Sequence, residues 1–572
     1  MTRRAISLVL LVGLALAACT PSARPAADNG AASASEAPAL PPRVLAAAVR
    51  LEPTTLALRP LREIFGAPYL PNRMFNAEFA TLDDQGIPRP YLVEALPQLN
   101  SDSWKVFPDG RMETTYRLLP NLTWQDGAPF SAEDFVFGYR VYTTPELGLI
   151  RTPPFDTIDE VLATDDRTLV IRWKRPYPDA NHMAGRDRQF PALPRHLLEQ
   201  TYQNESADTF SSLPYWTREY VGLGPFRVVR WEPGAFIEAE AFAGHARGRA
   251  KIDRIKLSFI PDVNTVLANA LAGEVQLVGD NAVQFEQAAV LRREWEPRQG
   301  GTVLAHYNTW RGVNFQFRPA FVRPEALLDV RVRQALAHGV DRQALNEAIY
   351  GGTGFLIDFL VPPVGLWGQA AQRGAATYDY DVRRAEQLMR EAGFQKGSDG
   401  FYAGVAGRFA AELKSTAGPD NEKELAATAD AWRSAGFDVT QSIVPNALAQ
   451  DLETRAAYPS MYLLSTPAGE RAAASFTPEN IPLPENRWRG GNRSGWSNPT
   501  FTRLAEQFIT TLEVEPRKEQ LTQMARLFTE DVAAISLYAR AGFWANTSAL
   551  QGMTNVPADS NVAWNIETWE LR

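Results

Sequence analysis

Cysteine is nearly absent: Cys19 stands alone in 572 residues. One thiol excludes any intramolecular disulfide framework, whatever the redox compartment. Histidine is scarce too, with His182, His196, His245, His306 and His338 making up the whole set. None shows the His-x-x-x-His spacing or the carboxylate pairing of a preformed transition-metal site, so no metal ligand is assigned. His196, in "LPRHLLE", reads as a residue that caps or packs a helix. Positive charge is in deficit, with 58 Lys and Arg against 66 Asp and Glu. The basic footprint that phosphate backbones require is therefore missing, and nucleic acid is excluded as a partner. Catalytic signatures are missing as well. Gly491 and Ser494 in "GGNRSG" have the wrong spacing for a Gly-x-Ser-x-Gly elbow. No Walker A sequence occurs, and "GGTG" at 351–354 reads as a helix stop. The chain is thus expected to be no enzyme and to carry no cofactor.

One apolar run does exist, at the start. Arg3 and Arg4 precede an apolar core from Ala5 to Ala18 that is too short for a membrane span and fits a secretory signal. It ends in Leu16-Ala17-Ala18-Cys19, which resembles a bacterial lipobox and implies cleavage before Cys19 and lipidation of its thiol. Residues 20–42 are mostly Ala, Pro and Ser with no apolar period, the composition of a disordered tether. Such a tether reaches on the order of 25 Å. Beyond it no segment approaches the roughly 20 apolar residues of a transmembrane helix. At 45% hydrophobic and 10% aromatic the remainder is globular.

The body alternates helix and strand signals. In "PDGRMETTYRLLPNLTWQDGAPFSAEDFVFGYRV" the Pro108-Asp109-Gly110 turn precedes a strand, and Asp126-Gly127 marks a second turn. Ser131 and Asp134 then form a capping-box start. Phe135, Val136, Tyr139 and Tyr142 fall on one face of the helix that follows. "DRTLVIRWKRPYP" alternates Leu169, Ile171 and Trp173 against polar neighbours, a half-buried strand. "GLGPFRVVRWEPGAFIEAEAF" reads as a hairpin. Asp262, Asp329, Asp341 and Asp381 stand at N-cap positions, while Gly273, Gly351-Gly352 and Gly393 stand at helix ends. This alternation predicts α/β lobes.

These segments, with "LPRHLLE", "GLGPF", "DVRVRQALAHGVDR", "AEQLMREAGF", "SNPTFTRL" and "AAISLYAR" in order, resemble the family 5 extracellular solute-binding proteins, receptors of peptide and nickel ABC importers. The resemblance extends over nearly the whole chain after Cys19. It implies a bilobal, periplasmic-binding-protein-like α/β fold with an extra small subdomain in lobe one. The expected division is 1–18 signal peptide, 19–42 lipidated cysteine and tether, and 43–65 with 191–300 and 528–572 as lobe one. Residues 66–190 would be the small subdomain and 301–527 lobe two. The hairpin and aromatic helix would be a packing unit of that subdomain, its stripe serving as core.

The implied function is capture of a solute, peptide or peptide-like, in the cleft between lobes, with delivery to an ABC permease and ATPase. The protein would act as a monomer, lipid-anchored through Cys19 on the extracytoplasmic side. Alternatives are a non-peptide solute (sugar, opine-like compound or a metal arriving already chelated), a non-transport envelope protein, or a hydrolase on the same scaffold. "YNTWRGVNFQF" aligns with the family's entry into lobe two and places Asn314 on a crossing strand, with Trp310 and Arg311 just before it. The alternative there is ordinary strand packing with a solvated Arg311. Peptide-binding members hold the ligand ammonium with an aspartate in an Asp-Tyr pair. The matching stretch here, "MYLLSTPAGERAAASF", lacks that pair but offers Glu470 or, for a carboxylate, Arg471. Either residue could instead be exposed. Trp216, Trp310, Trp488 and Trp496 lie in loop-rich stretches near family cleft segments and are candidates for stacking on a ligand, with core packing as the leading alternative for each.

Overall fold

Aspartates start the helices and glycines stop them, as their chemistry requires. Asp262 accepts from Thr265 N at 2.7 Å and Asp341 from Ala344 N at 2.9 Å. Asp381 accepts from both Arg383 N and Arg384 N, each at 2.9 Å. Each carboxylate satisfies first-turn amides that have no intrahelical partner. Gly273 and Gly351 take the left-handed conformation, φ 79° and 53°, that ends a helix without a Cβ clash. The computed structural model describes residues 42–61, 69–147, 149, 152–185 and 188–572. The signal segment, Cys19 and almost all of the tether lie outside the described residues, and Pro42 is an exposed coil residue.

Among the described residues eleven strands form one mixed sheet. Its spine is a pair of long antiparallel strands, Gly301–Phe315 and Ala534–Thr547. At one end Leu277–Val278, Val44–Val49, Arg254–Phe259 and the hairpin of Phe226–Glu232 with Phe236–Ala241 extend the sheet. At the other end Met461–Pro467, Ala410–Thr416 and Asp438–Val444 extend it. The two long strands therefore belong to both halves, and each half closes its own core around them. Val313, Phe315, Leu413, Leu463 and Trp432 lie in one core, and Ala48, Val266, Leu291 and Phe543 in another.

A separate four-stranded antiparallel sheet is built from Trp104–Val106, Met112–Arg117, Thr168–Trp173 and Ile158–Asp165, in that spatial order. Gly110, at φ 82°, makes the turn of its first hairpin. The helix Ala132–Tyr142 packs on this sheet, with Asp134 Oδ2 accepting from Ser131 N at 2.9 Å. Phe135 and Tyr142 are buried, and Val136 and Tyr139 pack partly buried against the same core. The aromatic stripe is therefore core, stacked at 4.1 Å between the rings of Phe135 and Phe79.

Candidate functional site

Three groups of elements, drawn from four stretches distant in sequence, meet at one cluster of charge. The first is the stretch 177–185 with Arg188, which follows the last strand of the four-stranded sheet. The second is the short helix Glu470–Ala474, which follows a long-sheet strand, together with the start of helix Val514–Glu530. The third is the segment 557–560 near the C-terminus. Arg188 Nη2 donates to Glu470 Oε1 at 2.6 Å and to Asp559 Oδ2 at 3.0 Å. Its Nε lies 3.4 Å from Asp179 Oδ2. Arg471 Nη2 donates to the same Asp179 oxygen at 2.5 Å and to Tyr177 Oη at 3.0 Å. Arg517 Nη1 is 3.7 Å from Asp179 Oδ1, and its guanidinium lies 4.7 Å from the Trp367 ring.

This cluster is polarised. Burial by itself pushes the Asp179 carboxyl up, but Arg188, then Arg471 and Arg517, outweigh it and hold Asp179 well below the usual carboxylate range. On the other side one guanidinium serves two carboxylates. There burial, then the charge of Glu470, pushes Asp559 up to about 6 despite Arg188. His182 sits 3.8 Å from Asp179; burial, with the three arginines, lowers it to about 4, so at neutral pH it is uncharged. Glu470, Asp559, Arg188 and Arg517 line a cavity of about 230 Å³ whose remaining walls are largely apolar, among them Trp104, Leu366 and Trp367. A second cavity of about 350 Å³ lies beside the long strands, walled by Asn281, Phe285, Asn308, Tyr350, Asp420 and Arg540. Arg540 Nη2 donates to Asp420 Oδ2 there at 3.3 Å.

The residues singled out in the sequence separate into two groups. Glu470 is 3% exposed and lines the first cavity, and Arg471 borders the cluster through Asp179. The tryptophans go elsewhere. Trp310 is not in a loop but in the middle of a long strand, wholly buried, its indole donating to Ser536 Oγ at 2.9 Å. Trp216 donates to Phe210 O at 2.7 Å inside a core, and Trp496 donates to Asp531 Oδ2 at 2.5 Å between Phe501 and Phe528. Trp488 is half-buried against Phe321. Arg311 is not solvated: it is buried and ion-paired with Glu424, which is likewise buried. Asn314 is buried between two neighbouring strands, and its Oδ1 has no hydrogen-bond partner. His196 lies inside the helix Arg195–Asn204, with Nε2 2.7 Å from Asp126 Oδ2. Asp179, Arg188, Arg517 and Asp559 were missed, although "DANHMAGRDRQF" is dense in charge. No group of three or more His, Cys, Asp or Glu arranged to hold a metal occurs among the described residues.

Comparison with known proteins gives this geometry its setting. The model of the bacterial extracellular solute-binding proteins, family 5 Middle, matches residues 94–478. The oligopeptide-binding protein AppA of Bacillus subtilis is 23% identical over 386 residues, 66% of this chain and 68% of that protein. The AppA structure in complex with a nonapeptide superimposes with a TM-score of 0.66 at 19% identity, covering 93% of this chain and 100% of AppA. NikZ from Campylobacter jejuni, solved in complex with Ni(L-His), gives a TM-score of 0.70 at 20% identity over 93% of this chain and 100% of NikZ. The dipeptide-binding protein of Escherichia coli is 25% identical over 328 residues, 53% of this chain and 56% of that protein, so the match spans about half of that relative. The structural likenesses identify the fold as the mixed α/β, bilobal periplasmic-binding-protein fold with an extra antiparallel subdomain. With the family model matching well over half of its length, the chain belongs to the family 5 bacterial extracellular solute-binding proteins.

Proposed function

We propose that this protein is the receptor of an ABC importer and captures a peptide or peptide-like solute by its cationic end between Glu470 and Asp559. One observation carries this reading: two carboxylates, the buried Glu470 and the partly buried Asp559, share one guanidinium at the wall of a 230 Å³ cavity. Arg188 alone hydrogen-bonds these two carboxylates, and a ligand ammonium adds a second positive partner through charge-assisted hydrogen bonds. The apolar walls and Trp367 suit the first side chains of such a solute. Relatives that bind peptides support the ligand class. The division into 43–65, 191–300 and 528–572 as lobe one, 66–190 as subdomain and 301–527 as lobe two belongs to the same reading. So does anchorage through a lipidated Cys19, with a permease and ATPase as the membrane partners.

Binding of an ammonium requires Asp559 to be ionised, and its value of about 6 sets the sign. Affinity for a tripeptide with a free amino terminus should be greatest near pH 7, fall about tenfold per pH unit below 6 as Asp559 takes a proton, and weaken again from about pH 8 as the ligand ammonium loses its own. Calorimetric titration from pH 5 to 8 reads this directly. The N-acetylated tripeptide should bind at least tenfold more weakly, and Glu470→Gln should reduce the difference between the two. Equal affinity for both peptides at every pH would place recognition outside this cluster.

A further inference from the structure

Arg318 follows the end of the long strand Gly301–Phe315, is buried, and directs its guanidinium entirely at uncharged oxygens. Its Nε donates to Gln316 Oε1 at 3.0 Å and its Nη1 to Pro482 O at 2.8 Å. Its Nη2 donates both to Ala456 O, at the end of the short helix Leu452–Ala456, and to Arg493 O at 3.2 Å. Gln316 Nε2 also donates to Ala456 O, at 3.2 Å. One buried nitrogen thus ties that helix to the loop 489–496 and brings two further arginines together. Arg455 precedes the first shared carbonyl, and Arg493 carries the second.

Arg455 and Arg493 are half-buried, and among the described residues neither guanidinium donates to a protein oxygen or pairs with a carboxylate. None of their nitrogens is enclosed by protein. Burial, then the charge of Arg455, pushes Arg493 down to about 10, opposed by Tyr462 and Tyr458 and by no acid. Burial lowers Arg318 and Arg455 as well, each against a tyrosine alone. Other buried arginines of this molecule are matched by acids: Arg188 by Glu470 and Asp559, Arg311 by Glu424, Arg333 by Asp531. Partly desolvated charges are costly unless paired, so three cations without an acid call for an anion from outside the protein. Neither Arg455 nor Arg493 lines the cleft cavities.

The charge count selects the anion. Two guanidinium forks offer about ten N–H donors and two positive charges, while the donors of Arg318 are already engaged. A carboxylate has two oxygens and one charge and would leave one arginine unmatched. A phosphate group has three terminal oxygens and a charge of about −1.5 to −2, which balances both.

We propose that Arg455 and Arg493 form a site for a phosphate-class dianion, inorganic phosphate or a small phosphate monoester, apart from the cavity assigned to the solute. The site stands whether or not the cleft takes a peptide. Calorimetric titration of the full chain with inorganic phosphate should show one site, and acetate should bind at least tenfold more weakly. Methyl phosphate separates the sources: equal binding assigns an esterified ligand and much weaker binding the free ion. Arg455→Gln and Arg493→Gln should each weaken phosphate at least tenfold, whereas Arg526→Gln, exposed on the helix Val514–Glu530, should stay within about twofold. In phosphate-free urea unfolding Arg493→Gln should be no less stable than the parent, because it relieves the repulsion by Arg455. Added phosphate should then raise the midpoint of the parent and leave that of the variant unchanged. Acetate bound as tightly as phosphate, or no binding of either phosphate, would overturn the assignment. Retention on phosphatidic acid vesicles with neither soluble phosphate bound would overturn it in favour of a membrane surface. An Arg493→Gln protein that is destabilised or unfolded without phosphate would overturn it too, by showing that the charge is compensated within the protein.

Discussion

Arg188 and Glu78 are opposite cases of buried charge. Arg188 is surrounded by Asp179, Glu470 and Asp559; burial alone would lower it, and the three carboxylates raise it well above the usual value. Removing one partner of such a network strands the others, at a cost of about 3–5 kcal/mol. Arg188→Met should therefore destabilise the protein by about that amount in urea unfolding, and adding Glu470→Gln with Asp559→Asn should restore part of the loss. Additive losses in the triple variant would show that these groups do not act together. Burial outweighs the pull of the Arg73 guanidinium on Glu78, whose folded value of about 8 lies above the ordinary 4.5. The folded state thus keeps a proton that the unfolded chain gives up. This contribution to stability is whole below about pH 4.5 and declines as pH rises towards 8, on the order of 3 kcal/mol by pH 7. Glu78→Gln removes the titration, so its stability relative to the parent should increase between pH 5 and pH 8. Parallel unfolding profiles for the two proteins would contradict the burial argument.

Among the elements, local signals and tertiary pairing divide the work. The N-cap aspartates act within a few residues, which is why they were legible. Asp381 serves two amides of the helix Val382–Glu391, whose Ala385, Leu388 and Met389 face the core. Asp381→Ala should cost about 1 kcal/mol, read from the shift of the urea midpoint with an unchanged slope. A changed slope would mean that the helix docks differently rather than losing its cap. The strand carrying Trp310 is a different matter. Its period-2 pattern is masked because Gly301–Phe315 is covered on both faces along its second half, from Trp310 to Phe315. Nothing in the local sequence distinguishes that from a loop rich in aromatic residues. Arg311 on the same strand is held by Glu424 from a helix more than a hundred residues away.

At the scale of the whole molecule, the two long strands join halves whose cavities and ion cluster are assembled from distant stretches. No helix among the described residues is long and apolar enough to cross a membrane. The lipoprotein reading rests on the start of the sequence, where Cys19 ends a lipobox-like run. Cys19→Ala should release a folded protein into the soluble fraction with tripeptide affinity unchanged, because multiple acyl chains anchor stably and the sequence of 20–42 has no apolar period. Persistence of that variant in washed membranes would remove the lipoprotein reading.

Family, α/β class, hairpins, capped helices and the aromatic stripe were all set down in the sequence by itself. Each depends on spacings of two to four residues, or on the order of segments along the chain. Glu470 was reachable the same way, through one stretch that departs from its family's pattern. The partners that give Glu470 its chemistry were not. Arg188 lies 282 positions from Glu470, and Asp559 lies 371 from Arg188. The rise of Asp559 to about 6 exists only because burial and Glu470's charge act on it together. The same holds for Glu78, unremarkable in sequence until burial raises its carboxyl to about 8. Short-range order is written in the chain because backbone amides and apolar faces act over a few residues. Electrostatic balance inside a cavity depends on desolvation and distance, which only the folded arrangement supplies.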